Sequence, residues 1–337
     1  MTSLLGTWLP LPGRIVDIAA TSNTLVLAEV PEAGHPVRVH VGRWRDGQWA
    51  WEEPWSVPLP PRDCDPPESA SLAVSEDGSG LHVAVTRVES QGGSYGMALA
   101  TLARGSWVDL AEIESPTDSD IPFGAPARRH ARDIFTFEET RHLWHYTRSD
   151  KGWVARSIPL RDGSVQLVAP HMALDARGLV VANENAAGEP VLLVFGRDEL
   201  GRTLEPTTNG LPARVEGMAF GGAMLYLGFG RPDPVGAVIW AVSLPQTGRL
   251  APVRRFSVPA PDNAAFTHVA GLDASADWLL VLQLDAAWVA STSGTTPLRR
   301  LELQASRAGL RRPTGVVVGS QAVVIVGDRF GTFALDE

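Results

Sequence analysis

Short apolar runs recur along this 337-residue chain at intervals of roughly fifty residues, each after a turn of Ser, Asn, Asp or Gly. They read Leu25-Val-Leu-Ala-Glu-Val, Leu81-His-Val-Ala-Val, Leu179-Val-Val-Ala-Asn, Met224-Leu-Tyr-Leu-Gly-Phe, Trp278-Leu-Leu-Val-Leu-Gln and Ala322-Val-Val-Ile-Val-Gly. Asp133-Ile-Phe-Thr-Phe falls in the widest gap. Most of these runs are apolar at consecutive positions, the pattern of a strand covered on both faces. No stretch combines helical periodicity with a capping signal.

Repeats of this length built from short strands imply a toroid of β-sheets, a β-propeller. The reading is all-β, a seven-bladed β-propeller in one domain over 1–337. The blades span 14–57, 69–114, 121–160, 169–208, 213–259 and 267–305, with 314–335 completed by 4–11. The last repeat stops one strand short, and Leu4-Leu-Gly-Thr-Trp-Leu-Pro precedes the first blade without belonging to it. Pairing the two removes an exposed edge. Blade three has the weakest leading strand, because Ile121 to Arg129 contains two prolines. A six-bladed ring with an insertion is therefore the alternative.

Asp46-Gly47 between apolar runs predicts a tight hairpin, since Gly accepts the positive φ such turns require. The same strand–turn–strand pattern recurs, placing Trp49, Trp107 and Trp153 in one equivalent position. Packing against the neighbouring blade is the expected role of these rings, and sugar stacking the alternative.

A formal charge of −9 weighs against nucleic acid as a partner. Arg128-Arg129, Arg254-Arg255, Arg299-Arg300 and Arg311-Arg312 are read as solvated strand edges. Lys151 is the single lysine, a usage expected of a GC-rich bacterial genome. Cys64 is the single cysteine, so no intramolecular disulfide forms. The N-terminus carries neither a basic nor a long apolar segment, and no run nears the roughly 20 apolar residues that span a bilayer. The expectation is a cytoplasmic protein without membrane insertion.

Four polar residues fall near the starts of leading strands: Asp17, His171, Glu216 and His268. These are the candidate ligand-binding residues at a channel mouth. Two carboxylates and two imidazoles suit a divalent cation or acid–base chemistry; the expectation is hydrogen-bonded residues, with no catalytic residue, metal ligand or cofactor assigned. Acids between blades (Asp63, Asp65, Glu68, Asp118, Asp120, Asp162, Asp262) either form a negative funnel or keep loops hydrated. His142 and His145 are three apart on a strand and point to opposite faces. The zinc-protease, phosphate-loop, GxSxG and EF-hand patterns are absent from the sequence.

On its strand outline and paired termini the chain resembles the seven-bladed β-propeller superfamily, without the Gly-His…Trp-Asp of WD40 repeats or the double glycine of kelch. Glu216-Gly-Met-Ala-Phe, Leu225-Tyr-Leu-Gly-Phe-Gly-Arg-Pro and Gly236-Ala-Val-Ile are similar to the EGxA…LxxGxRxP…GxA sentence of a bacterial propeller family of unknown function. That resemblance implies the fold and no reaction. The functional expectation is a non-enzymatic binding or scaffold protein, a protein-interaction subunit of a bacterial multiprotein assembly. Its contacts are expected in loops such as 31–36, 89–94 and 231–234. A metal-dependent hydrolase or lactonase, and a carbohydrate-binding lectin, are the alternatives.

Overall fold

The computed structural model describes residues 3–11, 13–30, 36–57, 69–77, 80–88, 96–103, 106–114, 128–130, 133–138, 142–149, 152–159, 171–175, 177–184, 187–196, 207–230, 236–244, 248–260, 268–295, 297–304 and 313–336. Among them every regular element is a strand. No described helix is long and apolar enough to cross a membrane.

The strands fall into seven sheets among the described residues. Two short strands come first, β1 (Ser3–Leu4) and β2 (Thr7–Pro10). Sheet 1 holds β3 (Ile15–Ala20), β4 (Thr24–Glu29), β5 (Arg38–Arg45), β6 (Gln48–Trp51) and β7 (Trp55–Ser56). Sheet 2 holds β8 (Ser69–Asp77), β9 (Gly80–Val88), β10 (Gly96–Ala103) and β11 (Ser106–Glu114). Sheet 3 holds β12 (Arg128–His130), β13 (Asp133–Glu138), β14 (His142–Ser149) and β15 (Gly152–Pro159). Sheet 4 begins with β16 (His171–Asp175), β17 (Gly178–Glu184), β18 (Pro190–Gly196) and β19 (Thr207–Gly210).

Sheet 5 holds β20 (Gly217–Gly221), β21 (Met224–Phe229) and β22 (Ala237–Val242). The chain then leaves it: β23 (Gly248–Arg249) pairs in parallel with β19 of sheet 4 before β24 (Arg254–Val258) completes sheet 5. Sheet 6 holds β25 (Gly271–Ala274), β26 (Trp278–Leu282), β27 (Ala287–Ser291) and β28 (Arg299–Leu301); sheet 7 holds β29 (Thr314–Val318), β30 (Gln321–Val326) and β31 (Arg329–Ala334).

The chain divides into two compact units. A three-sheet unit, Gly13–Val168 with Asp198–Leu204, contains sheets 1 to 3; a four-sheet unit, Met1–Pro12, Ala169–Arg197 and Glu205–Glu337, contains sheets 4 to 7. Within each, leading strands of consecutive sheets lie beside one another: β3, β8 and β12 in the first, β16, β20, β25 and β29 in the second.

The second strands are buried along most of their described length, as the consecutive apolar pattern predicts. β4 and β30 are buried at every residue. Neighbouring sheets share their cores. Val26, Val39 and Val41 pack with Leu72, Val83 and Val85; Tyr226, Ile239 and Phe256 with Val269, Leu279 and Val281; Leu280 and Val289 with Val324 and Phe333. Each such Val or Leu side chain contributes about 1.5–3 kcal/mol when fully buried. At Asp46-Gly47 both φ angles are positive, 51° and 80°, the tight turn predicted between β5 and β6.

The N-terminal segment departs from its expected form as one outer strand. Thr7–Pro10 pairs antiparallel with β31, while Ser3–Leu4 pairs parallel with β28 of the preceding sheet. The break falls at Gly6, where a Cβ would stand 2.5 Å from the Phe333 ring. The crossing between sheets therefore needs a residue without a side chain. Trp8 follows it and meets Phe333 edge-on at 5.8 Å.

Candidate functional site

Carboxylates on or just before leading strands accept backbone N–H groups from the next sheet. Asp17, on β3 beside a bulge, accepts the Ile18 N–H at 2.8 Å through Oδ1 and the Leu72 N–H of sheet 2 at 2.7 Å through Oδ2. Glu216 Oε2, just before β20, accepts the Val269 N–H of sheet 6 at 2.8 Å. Asp273 Oδ2, on β25, accepts the Val317 N–H of sheet 7 at 2.7 Å. A backbone N–H at a strand's flank otherwise faces a sheet that offers no ladder partner; a charged acceptor satisfies it and fixes the spacing of the two sheets.

Of the four sequence-selected residues, Glu216 and His268 are brought together: His268 Nδ1 donates to Glu216 Oε1 at 2.7 Å. One carboxylate thus orients a ring and an adjacent backbone amide on the segment leading into β25. The His268 side chain is 54% exposed. His171 opens β16, paired with Ala182, in the same unit. Asp17 belongs to the three-sheet unit. Among the described residues no three His, Cys, Asp or Glu side chains converge as a metal-holding group.

Three further arrangements were not anticipated from the sequence. Glu29 and His40 form a buried pair at 2.7 Å across β4 and β5, a diagonal contact two residues along β5 from Arg38, which lies directly opposite Glu29. His145 Nε2 meets Asp133 Oδ1 at 2.8 Å and Thr147 Oγ1 at 3.0 Å, with the Phe135 ring stacked on the imidazole at 4.4 Å. Acid and hydroxyl share one ring nitrogen there, so the group lacks the two-sided relay of a nucleophilic triad. Arg43 donates to Glu52 at 3.1 Å, Thr24 at 3.1 Å and Glu76 of sheet 2 at 3.0 Å. Burial pushes the Glu76 carboxyl up, but hydrogen bonds from Thr21 and Arg43, with the Arg43 charge, outweigh it and hold Glu76 below the usual carboxylate range. Burial likewise opposes the Arg43 charge, and Glu76 and Glu52 raise its pKa overall.

Two basic dipeptides are not simply solvated edges. Arg254 on β24 donates to the Thr292 carbonyl of sheet 6, and Arg299 on β28 donates to the Leu335 carbonyl of sheet 7. Each reaches the carbonyl just past the third strand of the next sheet. The second arginine of each pair covers a tryptophan on its own sheet, Arg255 over Trp240 at 5.2 Å and Arg300 over Trp288 at 5.9 Å. Trp49 makes its ring contacts within sheet 1, edge-on to Trp44 at 5.1 Å and tilted against Trp51 at 6.0 Å, so the described ring packs on its own hairpin.

The side chains of Trp107, Trp153, His142, Arg128 and Arg129 lie outside the described residues, as do Arg311, Arg312, Cys64, the inter-blade acids Asp63, Asp65, Glu68, Asp118, Asp120, Asp162 and Asp262, and nearly all of the three expected contact loops.

No protein-family model matches this chain. No curated protein matches it either. Solved structures do. The β-propeller domain of Myceliophteria thermophila Cps50 (Swd1) aligns over 97% of this chain and 99% of its own, with a TM-score of 0.63 at 10% identity. The WD40 repeats of RRP9 align over 97% of each chain, with a TM-score of 0.59 at 10% identity. YCF48 bound to D1 peptide aligns over 98% of this chain and 96% of its own, with a TM-score of 0.52 at 12% identity. This chain therefore has a β-propeller fold, reached without the WD40 sequence signature.

Proposed function

We propose that this chain is a non-enzymatic protein-binding propeller, an interaction subunit of a bacterial multiprotein assembly. One observation carries the reading: the carboxylates best placed for chemistry are already committed. Asp17 and Glu216 each give both oxygens to N–H donors, and in each case one donor is the backbone of the next sheet. We assign them to holding sheets together rather than to ligand. What remains for function is surface, presented on a rigid scaffold. The likeness to YCF48, captured with a D1 peptide, supports a polypeptide partner.

The test is recovery in both directions. The tagged full chain is cross-linked and purified from the organism that encodes it. The enriched protein is then tagged in turn, and the pair is reconstituted from purified components. The same two proteins are expected from both purifications, with a stoichiometric complex by light scattering. A chain that elutes alone and reconstitutes with nothing overturns the reading, as does metal-dependent lactone hydrolysis abolished by Glu216→Gln.

A further inference from the structure

We propose that the outer edge of β24 is a docking site for an acidic, extended segment of a partner protein, added to sheet 5 as a further strand. The proposal deepens the protein-binding reading above and rests on it. Within the four-sheet unit the neighbouring outer edges already take added strands. β19 of sheet 4 takes β23 in parallel, Asn209 opposite Gly248 and Gly210 opposite Arg249. β28 of sheet 6 takes β1 in parallel, and the Leu4 carbonyl accepts the Glu302 N–H at 3.0 Å. β2 is different: it supplies the fourth strand of sheet 7, antiparallel to β31. Sheet 5 stands between sheets 4 and 6, and among the described residues no strand pairs with the far side of β24. An unpaired edge presents backbone donors and acceptors ready for a third instance of the event seen at β19 and β28.

Charge selects the occupant. Phe256 and Val258 are buried and anchor β24 to the sheet, while Arg254, Arg255 and Ser257 are exposed. Adjacent strand residues point to opposite faces, so the two guanidinium groups flank the edge on both sides. Each is already held: Arg254 by the Thr292 carbonyl and packing over Gly294, Arg255 by the Trp240 ring. Pre-positioned cations lose little freedom when a carboxylate arrives. A chain of net charge −9 that concentrates two arginines on an open edge discriminates for an acidic strand. A second copy would set β24 against β24 and arginine against arginine, which disfavours self-pairing.

The experiment selects a phage-displayed random dodecamer library on the full chain. Enriched peptides are then measured by fluorescence anisotropy against wild type, Arg255→Glu and Arg254→Glu/Arg255→Glu, with amide hydrogen exchange alongside. Expected are net-negative peptides whose binding weakens with salt, falls severalfold in the single variant and at least tenfold in the double, and slows exchange within 254–258. Arg254→Glu also removes the Thr292 contact. Arg255→Glu leaves that contact in place, so its thermal midpoint should stay close to wild type and the test does not depend on the double variant folding. No enrichment, peptides without acidic bias, unchanged binding to both variants, or protection confined to other strands would each overturn the β24 site. A partner recovered in both directions that binds the double variant at full affinity overturns this site alone and leaves the protein-binding reading standing.

Discussion

Asp17 permits a sharp test, because a carboxylate and an amide of the same shape have opposite capabilities at its position. Its two oxygens accept from two donors, Ile18 N at 2.8 Å and Leu72 N at 2.7 Å. Asp17→Asn keeps the size but turns an NH₂ donor toward one of those N–H groups. Leu72 is 3% exposed, so its amide has little water to turn to. A hydrogen bond to a charged group is worth about 1.5–3 kcal/mol, and a stranded buried donor costs about 1–3 kcal/mol. The Ile18 amide lies next to its acceptor in sequence and adds less. Asp17→Asn is therefore expected to cost about 2 kcal/mol, and Asp17→Ala about 2–4 kcal/mol. At about 2.1 cal/mol/K of unfolding entropy per residue, a 337-residue chain loses about 1.4 °C of melting temperature per kcal/mol, so the asparagine variant should melt roughly 3 °C lower. Urea unfolding followed by tryptophan fluorescence, calorimetry, and exchange at the Leu72 amide supply the readouts. If Asp17→Asn unfolds within about 0.5 kcal/mol of wild type and Leu72 exchanges at its original rate, the carboxylate does not hold sheet 2.

Glu76 titrates below its usual range in the folded protein, so its contribution is fully present above the unfolded-state pKa and is lost as pH falls through the folded-state value. The stability difference between wild type and Glu76→Gln should accordingly shrink on acidification; because the site is partly solvated, its neutral-pH size is expected below about 1 kcal/mol, and a gap that widens in acid would refute the assignment. Gly236 has φ of 93° and faces the Val258 carbonyl closely, so Gly236→Ala should cost about 2–4 kcal/mol by denaturant titration. Trp8→Ala removes a half-buried ring from Phe333 and Gly331 and should cost about 2–3 kcal/mol. Deleting residues 1–11 uncovers the β28 and β31 edges and is expected to produce concentration-dependent association by light scattering; a well-behaved monomer would show that the segment protects neither edge.

How far the sequence could be read is clearest at particular residues. Leu25 to Val30 was expected as a strand and Thr24–Glu29 forms one, because an unbroken apolar run between turn residues leaves few other outcomes. Glu29 within that run carried no signal of its own. It pairs with His40 only because the β4–β5 register brings a residue from the next strand within reach, and no periodicity records that register. Arg254 and Arg299 look in sequence like ordinary edge charges. Their carbonyl partners lie 38 and 36 residues away, in other sheets. Asp17 and Glu216 stand out in the sequence as polar residues near the starts of leading strands, where internal hydrogen bonding is the expected role; which amides they meet, Leu72 and Val269, no local pattern records. The N-terminal segment was matched to the C-terminal strand by its missing partner. Its division between two sheets depends on Gly6 passing the Phe333 ring, a contact between opposite ends of the chain.

The sequence by itself determined a succession of short strands, their order, and the tight turn at Asp46-Gly47. These follow from side-chain alternation and from local φ preferences, which act over a few residues. Only the tertiary structure decided which backbone amide each acid would meet and which edge each terminal strand would cover. Those outcomes depend on how one sheet lies against the next. Asp17 and Leu72 are 55 residues apart along the chain and 2.7 Å apart in space, and a shift of one position in either strand would turn the pairing away.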